Sequence, residues 1–300
     1  MCVAVCMITR SLLVIIYILS CIRYRAKPWL YFQLNAEYFN RDKGIYSKLE
    51  MDCRIPAQWR LAQSLDCGQL PEKYPVFLKP EWGQNARGVY RADNREALEK
   101  FRAASVTSRL PYLVQEAAPG SREFEVFFIP SSSSPENVAV LSITEVLNTQ
   151  AEALPVNGIY NPHTCYEDIT GQFTEAERAL IWQHMRQLGR FRIARVGLRA
   201  DTTAQLVSGY FHIFEVNLFL PMPLMLQSHN VSERAKFHFI RGAMGHLARI
   251  TKTIPPKRHY PSVFFRKLSA NRPVKAPDRV NHHETYLNES RQEADIPVDQ

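Results

Sequence analysis

The spacing of apolar and polar positions changes several times along the chain, and each change marks an element. Residues 1–22 are apolar apart from Thr9, Arg10, Ser11 and Ser20, and Arg23, Arg25 and Lys27 follow at once. The clean run from Ser11 to Ile22 is too short to cross a bilayer alone, whereas Val3–Ile22 suffices if Arg10 lies away from the bilayer centre. A signal peptide fits less well, because charge follows the run where an A-x-A-like cleavage site belongs. Three readings stay open: a membrane anchor whose basic flank keeps the following domain cytoplasmic, a buried strand of a truncated domain, or a mis-assigned start.

After this leader (1–28) and an aromatic-rich connector (29–42), Lys43–Gln63 holds charged helix formers broken at Ile55-Pro56, which predicts a helix and then extended chain. Tyr74–Lys79 reads as a strand, Trp82–Gly88 as a glycine loop, Val89–Arg91 as a short strand and Asn94–Arg102 as a helix capped by Asp93 or Asn94. Tyr112–Gln115, Phe124–Ile129 and Val138–Val146 predict further strands, Pro119-Gly120 a turn, and 147–172 a long loop. Thr174 and Glu177 have capping-box spacing ahead of Ala176, Leu180, Ile181, Met185 and Leu188, one face of a helix running to about Gly189. A second helix covers about Ser232–Ile250. Between the two, strands at Ile193–Asp201 and Tyr210–Leu218 are joined by a hairpin-length connection. Residues 257–300 turn polar and read as a tail.

Composition, 46% hydrophobic and 22% charged over 300 residues, is that of a globular chain with a real core. The net charge of +8 admits nucleic acid, yet the basic residues are scattered, without zinc-finger spacing or an RNP-like run, so no nucleic acid is expected. Anionic lipid or a polyphosphate suits the charge equally well. Six cysteines without a CxxC pair point to a reducing compartment, with neither a disulfide framework nor a cysteine zinc site.

Strand alternation points Arg199 with Asp201, and Glu215 with Asn217. A buried carboxylate needs a cation or several donors. Asp201, Glu215 and Asn217 offer hard oxygens for magnesium, or manganese, with room left for phosphate, and Arg199 suits a transferring phosphoryl group. A structural ion pair, with Asn217 capping a turn, is the alternative reading. Upstream, an apolar strand ends in Lys79-Pro80 and opens a loop with Gly83 and Gly88, which lets backbone approach a polyphosphate; a plain hairpin is the alternative. Glu116 ends another strand where it can accept from an adenine amino group or a lysine, and Glu123 can take a ribose hydroxyl. For either glutamate, surface solvation is the competing reading.

Over residues 40–225 these fragments resemble, in order and spacing, the ATP-grasp superfamily and its D-alanine–D-alanine ligase-like branch. Asp42-Lys43 with Ile55-Pro56, Lys79-Pro80 before the glycine loop, Glu116, Glu123 and the set Arg199, Asp201, Glu215, Asn217 carry the resemblance. It implies an α+β fold of two antiparallel subdomains, 43–110 and 111–256, clamping ATP. Lys43 and Lys79 would bind nucleotide phosphates, Glu116 the adenine side and Glu123 the ribose. Arg199 would be catalytic, and the other three would hold the metal. The implied activity is an ATP-dependent carboxylate–amine ligase working through an acyl phosphate on small-molecule substrates in the cytoplasm. Departures keep a second reading open, a non-catalytic nucleotide-binding or membrane-associated descendant. Some forty residues precede Lys43 where the family has an α/β domain, and Pro221, lacking an N–H, stands in the family's small turn after the metal strand. The long loop offers only His163 as a cation, with no Lys or Arg between Glu123 and Glu177.

Overall fold

The strand-forming runs assemble into two antiparallel sheets in the computed structural model, which describes residues 2–83, 86–105, 111–150, 152–255 and 263, with side chains from residue 7. The first sheet has the order β1-β4-β2-β3, from β1 (Gln63–Leu65), β2 (Val76–Pro80), β3 (Tyr90–Ala92) and β4 (Tyr112–Glu116). Alternation sends Val76, Leu78 and Val114 to one face, where they pack with Ala92 and with Leu98 of helix α3 (Arg95–Ser105). Asn94 caps that helix, its Oδ1 accepting from the Ala97 N–H at 2.9 Å. Phe77, Lys79 and Gln115 lie on the opposite face. Because β4 joins this sheet, the sheet takes in residues on both sides of position 110.

The second sheet has the order β7-β6-β5-β8-β9: β5 (Arg122–Pro130), β6 (Val138–Asn148), β7 (Thr164–Asp168), β8 (Ala194–Ala200) and β9 (His212–Asn217). One face carries Phe124, Val126, Phe128, Ile143, Val196 and Leu198 into a core shared with Ile181, Trp182 and Met185 of α4 (Glu175–Arg186). That helix begins with the expected capping box of Thr174 and Glu177. The other face divides in two. Phe127, Ile129, Val140 and the neighbouring Ile193 are covered by helices α1 (Cys2–Tyr24) and α6 (Glu233–Lys252), while the register pairs Glu123 with Arg199, Glu125 with Gly197, and Gly197 with Glu215 on the uncovered part.

Several expectations change. The apolar leader is a helix and not a strand, since Leu12, Leu13, Ile16, Tyr17, Cys21 and Tyr24 recur at helical spacing and pack with α6. Tyr17 Oη and Thr251 Oγ1 share a buried hydrogen bond of 2.9 Å across that contact. The stretch 147–172 is not all loop: β7 pairs at the edge of the sheet, and of its residues only Tyr166 is buried, which leaves little apolar alternation to read. The connection between β8 and β9 contains a short helix, α5 (Thr203–Ser208), capped by Thr202 and closed by Gly209. In Lys43–Gln63 the helix shrinks to α2 (Lys48–Asp52). The tail at 257–300 lies outside the described residues except for Val263, which is buried in the main core.

Candidate functional site

The uncovered half of the second sheet faces Phe77, Lys79 and Gln115 of the first, and a cleft opens between them. Its floor is charged because alternation on three adjacent strands brings Glu123 and Glu125, Arg195 and Arg199, and Glu215 to one surface. Gly197 stands in the row between Glu125 and Glu215. A Cβ there would lie 2.6 Å from the Phe214 ring and 3.1 Å from Glu125 Oε1, so only glycine lets these groups converge.

Lys79 is 8% exposed; its Nζ donates to Gln115 Oε1 at 2.6 Å and to the Phe214 carbonyl at 3.4 Å. Burial draws its pKa down to about 8, against the pull of Glu215 and with the push of Lys48. Lys48 is the second cleft lysine, its Nζ donating to the carbonyls of Pro80 at 3.1 Å and Gly83 at 3.4 Å; burial lowers its pKa while Glu215 raises it. Lys43, expected on phosphate, is not brought to this lining. It pairs at 2.6 Å with Glu81, a 2% exposed carboxylate that also accepts from Ser47 Oγ, and so neutralises a buried charge. The Asp-Lys match pointed five residues upstream of the lysine that the short helix α2 delivers.

Arg199 is 5% exposed and braced by the carbonyls of Gly120 (3.0 Å) and Ala153 (3.2 Å), with Glu123 at 3.9 Å. Burial lowers its pKa and Glu123 restores part of the loss, but guanidinium stays charged at any physiological pH. Gly120 has φ +107°, and a Cβ on it would meet the Ala200 backbone at 2.8 Å, so this turn can approach β8 only as glycine. Glu123 accepts from Asn157 Nδ2 at 3.1 Å; burial raises its pKa, countered chiefly by Arg199.

Glu215 lines the cleft. Burial would raise its pKa, but Lys48, Lys79, Arg195 and the Asn217 amide together hold it below the ordinary carboxylate range, so it is an anion at neutral pH. Asn217 donates Nδ2 to Glu215 Oε2 at 2.9 Å and faces a small recess with Tyr46, Trp82 and Phe219. Asp201 does not join this pair. It is exposed at the end of β8, where it accepts from the Ser121 N–H (2.9 Å) and Oγ (3.1 Å), bonds that lower its pKa. No three His, Cys, Asp or Glu among the described residues are grouped to hold a metal. Magnesium is commonly held by one or two carboxylates with phosphate and water completing its shell, and ionised Glu215, with the Asn217 amide bonded to it, fits that pattern.

Glu116 and Gly83 also line the cleft; Gly88 closes the loop, where an added Cβ would stand 3.1 Å from Tyr112 Oη. Two floor residues escaped the sequence reading. Glu125 is 6% exposed, its pKa pushed up to about 7 by burial, with Arg195 opposing and Glu215 and Glu123 adding to the rise. Arg195 Nε lies 3.1 Å from Glu125 Oε2, an ion pair whose geometry gives neither atom a hydrogen bond. Period-two spacing was their signal, in Glu123-Phe-Glu125 and in Arg195-Val-Gly-Leu-Arg199. The loop after β6 also contributes: the Leu154 carbonyl accepts from Arg91 at 3.0 Å, and the Tyr160 side chain accepts through Oη from Arg87 at 2.6 Å. His163 instead pairs with Thr149 at 3.3 Å and does not line the cleft.

No protein-family model and no curated protein sequence matches the chain. In structure it is similar to the D-alanine–D-alanine ligase of Bacillus anthracis complexed with ATP, at 11% identity over 69% of this chain and 67% of that one, with a TM-score of 0.45. It is also similar to the L-amino acid ligase of Bacillus licheniformis (20% identity, 67% and 49% covered, TM-score 0.45) and to the VanG D-Ala:D-Ser ligase of Enterococcus faecalis (11%, 69% and 69%, TM-score 0.44). The chain thus spans about half the length of the L-amino acid ligase.

Proposed function

We propose that this protein is an ATP-grasp-type ligase that joins a small-molecule carboxylate to an amine at the expense of ATP. The observation that carries the reading is the cleft between two antiparallel sheets, where Lys48, Lys79, Arg195 and Arg199 converge on a floor of buried and half-buried carboxylates. Such a set suits polyphosphate chemistry, in which positioning and charge neutralisation do most of the catalysis. Lys79, Lys48 and the backbone around Gly83 would hold the nucleotide phosphates, Glu116 the adenine side and Glu123 the ribose. The substrate carboxylate oxygen attacks the terminal phosphorus, ADP leaves, and the amine then displaces phosphate from the acyl phosphate. Arg199 would neutralise the phosphoryl oxygens throughout.

Magnesium, held by Glu215 and Asn217, would supply charge neutralisation on the phosphates. Asp201, bonded to Ser121 four residues along β8 from Gly197, the partner of Glu215, would stay outside that metal shell. The cytoplasm is the proposed compartment, with residues 1–28 as the means of membrane association; exposed free thiols at Cys53 and Cys67 suit a reducing milieu.

Glu215→Ala is expected to abolish ATP turnover and weaken magnesium-dependent nucleotide binding with the fold intact by circular dichroism. Turnover at the wild-type rate in this variant sinks the metal assignment. Calorimetry with ATP and magnesium, followed by a phosphate-release screen over amino acids and short peptides, tests the ligase reading. Binding without release under every substrate would support the non-catalytic alternative.

A further inference from the structure

Helix α1 is apolar on both sides, and among the described residues only one side is packed. Its inner face is committed to the fold: Ile16, Tyr17 and Cys21 are buried, and with α6 they cover Phe127 and Ile129. On the outer face Met7, Ile8, Ile15, Ile18, Leu19 and Ile22 are 40% to 69% exposed. Their spacing of three, four and seven makes one aliphatic stripe roughly 20 Å long at 1.5 Å per residue. Contiguous exposed apolar surface of this kind marks an interaction site.

The surroundings of the stripe select its partner. No acidic residue precedes Glu37, whereas Arg10, Arg23, Arg25 and Lys27 are all basic. Arg249 of α6 adds a further charge at the same end, stacking 4.7 Å over the Tyr24 ring and donating to its Oη at 2.8 Å. Trp29, 59% exposed, follows, a side chain favoured where hydrocarbon meets headgroup. Aliphatic stripe, basic flank and interfacial tryptophan together match an anionic lipid surface. The packing also decides the mode of binding. To cross a bilayer, α1 would have to leave α6, break the buried Tyr17–Thr251 bond, strip the cover from Phe127 and Ile129, and carry Arg10 into or past hydrocarbon.

We propose that α1 lies in the plane of an anionic membrane surface, its outer stripe dipped to the acyl boundary and its inner face still packed on α6 and the sheet. Arg10, on the same helix, lines the cleft, so docking brings that end of the cleft to the lipid surface.

The full chain is mixed with phosphatidylcholine vesicles, with or without phosphatidylglycerol, and sedimented. It is expected to bind the anionic vesicles more tightly, to be weakened by salt, and to be released by alkaline carbonate. The double variant Ile15→Ser, Leu19→Ser is expected to keep the wild-type unfolding midpoint and to bind at least about tenfold more weakly. Retention through carbonate would overturn the in-plane mode in favour of a spanning helix. Undiminished binding by the double variant would overturn the role of the stripe. A chain that ignores vesicles but self-associates until the double variant makes it monomeric would show that the stripe is a protein interface instead. None of these readouts depends on ATP turnover.

Discussion

The two halves of one sheet face have opposite chemistry. Along β5 the side chains turned to this face run Glu123, Glu125, Phe127, Ile129, and the change from carboxylate to hydrocarbon falls where α1 and α6 begin to cover the sheet. The covered half is an ordinary core, in which removing apolar surface from water offsets chain entropy. The open half would be more stable if it too were hydrocarbon, since each buried charge loses hydration that its neighbours only partly replace. A strand that could have continued as Val or Leu therefore keeps its glutamates for something other than stability. Binding a polyphosphate is the use that their mixture with Lys48, Lys79, Arg195 and Arg199 suits.

The largest effect should come from breaking the covered half. Phe127, 1% exposed, touches the α1–α6 layer, and Phe127→Ala removes a buried ring and leaves a cavity. A loss of about 3–5 kcal/mol is expected in denaturant unfolding. Nucleotide affinity of the folded fraction should not change; a large change in affinity would mean that the two halves are coupled.

A smaller effect of opposite sign is expected in the open half. Glu125 has its pKa raised to about 7 from an ordinary 4.5. Between those values the folded chain binds more protons than the unfolded one, so this group makes stability fall as pH rises from 4.5 through 7. Glu125→Gln should remove that slope and raise stability at pH 8 by about 1–2 kcal/mol. The full effect of the shift is not expected, because the substitution also costs Arg195 its paired anion, leaving Glu215 as its neighbouring negative charge. Urea midpoints at pH 5 and 8 measure it, and an unchanged slope would move the proton elsewhere.

How much of this was legible beforehand follows from where each signal is local. The strands carrying Lys79, Glu116, Glu123, Arg199 and Glu215 announce themselves as apolar runs ending in or interrupted by charge. The cap of α4 is visible because Thr174 and Glu177 are three residues apart. Edge strand β7 is not visible, since Thr164-Cys-Tyr-Glu-Asp168 buries one side chain. Lys48 could not be told from Lys43 by pattern, because both lie in one polar stretch and only the Glu81 and Ser47 contacts separate their fates. Glu125 and Arg195 needed the register, which sets them diagonally across adjacent strands some seventy residues apart in sequence. The leader's length and hydropathy suited a membrane span; its inner-face packing depends on α6, more than two hundred residues away.

Lys79 offers the finest test of the contrast, because two consequences of its burial run in opposite directions with pH. Its pKa is about 8 in the fold against an ordinary 10.5. Between these values the unfolded chain holds a proton that the folded chain has lost, so the contribution of Lys79 to stability rises as pH climbs from 8 to 10.5. Phosphate binding needs the charged amine, so nucleotide affinity should fall over the same range, by about tenfold one unit above the pKa if the neutral amine binds negligibly. Calorimetry with ADP, which cannot donate a terminal phosphoryl group in the proposed reaction, isolates this from turnover. Affinity should be about tenfold weaker at pH 9 than at pH 7, and Lys79→Met should be weak at both pH values, without the step. Phe127→Ala, in the covered half, should keep the step intact. If Lys79→Met retained it, the titrating cation would have to be another cleft residue, with Lys48, bonded to the Pro80 and Gly83 carbonyls, the next to test.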